Sequence, residues 1–281
     1  MRSSGFRLVL AAAMTAVVVA GGTVGAFVWR DTQRTRALEE QMSHMARAMR
    51  AHADQVPREL YPPVSSQPGI LFMDAAMLFP EYLDDPAVVV SPRHPNARGL
   101  RRQLAAATVD GHANPAVIEQ VGAESFYYLG YTVPYEITGM AWAEAYREAV
   151  QSHTDESIME AYAITVQFPE DYTGPRTPPD LPEWGGWFGS GPGSAGNDQI
   201  HRLRLGIERF LISDGAVSGP RASAQERSSI PLLIERPTQI GAPIHVAYFD
   251  GHVRRVPHGQ FPNTRPFLEA LESLTERTRS H

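Results

Sequence analysis

Cysteine and lysine are both missing from this chain. Without cysteine there is no disulfide brace, no thiolate metal site and no cysteine nucleophile. Without lysine there is no Schiff-base amine and no phosphate-gripping Walker lysine; all 25 basic residues are arginine. Charge is sparse as well, at 20% of residues with a net charge of −6. No basic block occurs outside the arginines that flank the N-terminal apolar run, which argues against nucleic-acid binding. Internal repeats, a His-Glu-x-x-His helix and a nucleophile elbow are all missing, since Ser190 and Ser194 lack the flanking glycines an elbow requires.

What is present begins at the N-terminus. Leu8 to Trp29 carries no charge and lies between Arg7 and Arg30. A run of about 20 apolar residues matches the hydrocarbon core of a bilayer. This predicts a cytoplasmic tail at 1–7 and a transmembrane helix at 8–29, in a single-pass inner-membrane protein with its head on the periplasmic side. The competing reading is a cleaved signal peptide, with Val24-Gly25-Ala26 as a small-residue site. Asp31 to Val56 has neither proline nor glycine, and Leu38, Met42, Met45 and Met49 fall on one helical face. That predicts an amphipathic stalk over 30–56, with a globular head at 57–281.

Within the head, Leu71 to Leu83 suggests a short helix and Val88-Val89-Val90 a strand closed by Ser91-Pro92. Residues 97–122 allow no detailed assignment. Phe126 to Tyr131 reads as strand and Ile137 to Val150 as helix. Residues 174–197, rich in glycine and proline with Trp184 and Trp187, read as a long loop. Arg204–Ser213 and Ile230–Ile234 suggest strands. Ile244 to Val256 reads as a hairpin with Asp250-Gly251 as a type I′ turn, and Arg265–Thr278 reads as a closing helix. Strands and helices do not alternate regularly, so the expected class is α+β.

Motifs with chemistry are few. Gly191-Pro192-Gly193-Ser194-Ala195-Gly196 fits the dinucleotide glycine pattern, but Pro192 removes an amide donor and the surroundings read as loop. Asp84-Asp85 offers hard oxygen ligands for calcium, or a turn. His94 and His112 are isolated. The one dense cluster is His245, Asp250 and His252, which would have to supply the ligands of a metal-assisted hydrolase; Asp250 is equally accounted for by its turn. No cofactor is expected.

The hairpin also carries a resemblance. His245-Val246-Ala247-Tyr248-Phe249-Asp250-Gly251-His252-Val253, followed by Gly259-Gln260-Phe261-Pro262, resembles the C-terminal signature of planctomycete-type pseudopilin-like proteins. These carry a prepilin-type processing-associated domain named for a His, nine residues and Asp-Gly. Tyr61-Pro62-Pro63-Val64-Ser65, Phe79-Pro80-Glu81-Tyr82-Leu83-Asp84-Asp85-Pro86, Tyr127-Tyr128-Leu129-Gly130-Tyr131 and Leu205 to Asp214 are similar to that group in the same order. The departures are a missing His near Ile240, Ser91-Pro92 in place of Cys-Pro, and Leu10 where a mature pilin carries an acid. The resemblance implies a pilin-like head behind a membrane helix, and processing between Gly5 and Phe6. It implies a structural or interaction role related to type II secretion or type IV pilus subunits, with the lipid bilayer, other pseudopilins or secretion-system subunits as partners and no catalysis. The alternatives are an exported metal-assisted hydrolase and a soluble binding domain.

Overall fold

A computed structural model describes residues 4–151, 163–165, 199–207 and 227–276; for 4–28, 151, 163–165 and 199 it describes the backbone alone. One helix, α1 (Ser4–Gln55), runs for 52 residues, about 78 Å at the α-helical rise. Pro57 follows it, and Arg58 and Glu59 take φ of 69° and 56°, turning the chain back toward the head. Two short 3₁₀ turns come next, Ala75–Met77 and Pro86–Val89. Each starts at an aspartate whose side chain accepts a backbone N–H: Asp74 from Ala76 at 2.9 Å and Asp85 from Ala87 at 2.8 Å.

The rest of the chain supplies α2 (Ala97–Ala106), β1 (Thr108–Val109), β2 (His112–Ala113), α3 (Pro115–Ala123), β3 (Phe126–Tyr127), α4 (Glu136–Gln151), β4 (Ala163–Thr165), β5 (Gln199–His201), β6 (Pro231–Glu235), β7 (Ile244–Tyr248), β8 (Val253–Val256) and α5 (Arg265–Glu276). The central sheet is antiparallel in the order β3–β6–β7–β8. Alternation along β7 divides its side chains between two cores. Ala247 joins Leu233, Leu38, Met42, Met45 and Met49 on one face. Ile244, Val246 and Tyr248 join Trp142, Phe267 and Leu271 of α4 and α5 on the other. The described fold is therefore α+β, with a sheet between the C-terminal part of α1 and the α4–α5 pair.

Several expectations are corrected here. Among the described residues no helix is long and apolar enough to cross a membrane. The membrane-spanning helix at 8–29 and the single-pass inner-membrane location are corrected on that finding. The physical reason lies in the side chains described from Trp29 onward. Their apolar residues form a one-sided stripe on the sheet, while Arg30, Asp31, Arg34 and Arg36 face solvent. The side chains of the apolar run itself, and those of Gly5 and Phe6, lie outside the described residues. The stripe read as a stalk face is part of the head's core.

Val88 to Val90 is a 3₁₀ turn and its exit, not a strand. Asp85 and Pro86 start the turn, and the Val88 and Val90 carbonyls accept from the Gln41 carboxamide on α1 instead of from a neighbouring strand. Arg204 sits in an isolated bridge with Leu60 and the chain turns at 205–207. Residues 208–213 and the 174–197 loop lie outside the described residues.

The β7–β8 hairpin is present, but its turn is not type I′. Gly251 alone of its pair takes positive φ, at 93°. Its N–H donates to Tyr248 O at 2.8 Å, and Tyr248 N–H donates to His252 O at 2.9 Å. This is a type I turn with a glycine bulge, which needs one left-handed residue instead of two. The two-residue turn with both residues left-handed is at Asp110-Gly111, φ 51° and 81°, joining β1 to β2. Gly251→Val should cost about 1–3 kcal/mol from backbone strain, because open space surrounds the position and only its φ resists a side chain. An unchanged melting temperature would show that the bulge is misplaced.

Candidate functional site: a buried imidazole between sheet and long helix

The residues with the most chemistry per volume gather where α1 first meets the sheet. The β6–β7 pairing brings Glu235 and His245 together across the two strands. Glu235 Oε2 accepts from His245 N at 2.8 Å and lies 2.9 Å from His245 Nδ1. Arg93, from the loop before α2, donates to the same oxygen at 3.3 Å. The other ring nitrogen, Nε2, is buried with no hydrogen-bond partner. It lies 3.8 Å from Glu39 Oε1 on α1. His245 is fully buried and Glu235 nearly so, whereas the Glu39 side chain is 44% exposed.

An imidazole oriented by a carboxylate is the rear half of a catalytic triad. Here the front nitrogen faces a carboxylate and not a hydroxyl, so the arrangement can bind a proton and tie two elements together. It does not suit a divalent cation either: Arg93 stands 3.1 Å from Nδ1, and Arg255 is the β8 residue paired with His245.

The structure does not bring His245, Asp250 and His252 together. Asp250 and His252 pair at the hairpin tip, Oδ1 to Nδ1 2.5 Å, and His252 stacks on Tyr248 with centroids 4.5 Å apart. His245 is at the far end of β7, beside Glu235. Among the described residues no group of three or more His, Asp or Glu side chains could hold a metal. The metal-ligand reading of His245, Asp250 and His252 is corrected accordingly. Asp85 serves a turn, as does Asp250, which also accepts from His252 N at 3.1 Å.

Two further polar groups escaped sequence reasoning. Glu119 is buried in α3 and accepts from Ser65 Oγ, Gln67 Nε2 and Ala75 N at 2.5, 2.8 and 3.1 Å. Its signal was available: one acid in the otherwise uncharged helix Pro115–Ala123. Arg236 grips Glu272 of α5 through two nitrogens and lies over the Tyr127 ring. Tyr127 donates its hydroxyl to Glu272 at 2.5 Å; burial pushes that phenol well above its ordinary pKa, which keeps it a donor. These pairs carried no sequence signal, since their partners are 36 and 145 residues apart.

Comparison with family models, with curated proteins and with solved structures finds no match to this chain.

Proposed function

We propose that this chain is a pseudopilin-like structural and interaction protein, related in role to type II secretion or type IV pilus subunits, whose work is association and not catalysis. The observation that supports this reading is how α1 is divided. Its buried side chains begin at Leu38, and Trp29 to Arg34 are exposed, Trp29 at 64%. The helical backbone nevertheless continues back to Ser4, about 50 Å beyond Leu38 at 1.5 Å per residue. A helix that leaves its own core for that distance gains most of its stability from packing on something else. The partners this fits are other subunits of the same kind.

The cysteine-free chain makes the test clean. A single cysteine at exposed Gln33 on α1 should form intermolecular disulfides on mild oxidation of the full-length protein. A cysteine at exposed Asp110, on the β1–β2 tip, should not. Cross-linking at neither position, or equally at both, would remove the association reading.

A further inference from the structure

We infer that His245 is a proton-operated latch that holds α1 against the sheet at the point where the helix leaves the head. The argument rests on which atoms face which. Nδ1 lies 2.9 Å from Glu235 Oε2 and Nε2 lies 3.8 Å from Glu39 Oε1, so each ring nitrogen looks at a carboxylate oxygen. A neutral imidazole carries one N–H. With the hydrogen on Nδ1, the Nε2 lone pair points at Glu39; with it on Nε2, the Nδ1 lone pair opposes Glu235 at hydrogen-bond distance. Only the imidazolium offers a donor to both. Nε2 is buried and has no other partner, so in the neutral ring the mismatch is left unrelieved.

The surrounding charges come from every packed element. Glu235 is contributed by β6, Arg255 by β8, Arg93 by the loop before α2 and Glu39 by α1. Arg93 and Glu235 neutralise each other at 3.3 Å. That leaves Glu39, one residue after the first buried side chain of α1, as the charge that ties the helix to the imidazole. His44 and His52 also lie on α1, and neither is among the ring's recorded contacts. The sign follows from linkage. The seated helix favours the doubly protonated ring, so seating takes up a proton and tightens as pH falls through the imidazole range. Protonating the carboxylates at still lower pH undoes it. The latch stands whether or not the free half of α1 associates.

Hydrogen exchange on the full-length chain reads the device directly. Corrected for intrinsic rates, amides of residues 38–42 should be several-fold better protected at pH 6 than at pH 8. Glu39→Gln, at a half-exposed site that tolerates change, should keep the fold and abolish that difference, whatever His44 and His52 do. Nitrogen-15 spectra of the His245 ring should show both nitrogens protonated at pH 6. A pH difference that survives in Glu39→Gln, or a ring with one bare nitrogen at pH 6, would overturn the latch.

Discussion

Glu119→Ala is expected to lower the unfolding free energy by about 3 kcal/mol, the scale of losing hydrogen bonds to a buried charged acceptor. The carboxylate joins three segments far apart in sequence: Ser65 and Gln67 in the loop after α1, Ala75 in the first 3₁₀ turn, and its own helix α3. Truncation removes the acceptor but leaves the donors in place. Ala75 is fully buried and Ser65 nearly so, so neither can turn to bulk water for a replacement. An unpaired buried donor retains its whole desolvation cost. Glu119→Gln keeps one oxygen acceptor and should lose less. Urea denaturation measures both, with an unchanged slope showing that the same surface is exposed. A loss under about 1 kcal/mol for Glu119→Ala, no more than an ordinary surface change, would mean that the donors find other partners.

The second large effect is at Met45. Met45→Ala should cost about 3 kcal/mol, within the range for large-to-small changes in a closed core. Met45 has no exposed surface and shares a cluster with Leu233 and Ala247 of the sheet. Its value as a test lies in the sign. Were 30–56 a free stalk, the same change would be neutral or slightly stabilising, because alanine is the better helix former. A melting temperature that falls by several degrees places the stripe in the core, and one that stays or rises returns it to solvent.

That stripe also shows what could be read in advance. Its spacing gave away a helix with one apolar face, and the two-residue alternation from Ile244 to Tyr248 gave away a strand. What each face would meet was not legible. A run of methionines suits a coiled-coil neighbour, a membrane-proximal stalk or the chain's own sheet equally well, and only the fold of the later residues decides. Val88 to Val90 misled because β-branched residues favour strands locally. The Asp85-Pro86 pair just before them is a turn starter, and it prevailed. Asp250-Gly251 misled in another way: a two-residue loop and a glycine bulge both place glycine after aspartate, and they differ only in whether Phe249 belongs to the turn.

The candidate site was partly visible. His245 drew attention through its neighbours in sequence, Asp250 and His252, yet its working partners are Glu39, Arg93 and Glu235. Proximity in sequence proved a poor guide because a strand carries its residues away from each other at about 3.3 Å apiece. Six steps along the hairpin separate groups that look adjacent on paper.

The pairing of Glu235 with His245 bears on how the sheet is assembled. Shifting β7 by one residue against its neighbours would turn every side chain to the opposite face. The imidazole would then enter the layer of Phe267 and Leu271, where no carboxylate waits, and Val246 would face Arg93. The aliphatic residues Ile234, Val246 and Ile244 discriminate poorly between neighbouring alignments, since each is apolar wherever it lands. The ion pair discriminates well, because a misaligned one leaves two charges buried without partners. It acts as an alignment mark, penalising the wrong strand pairing more than it rewards the right one.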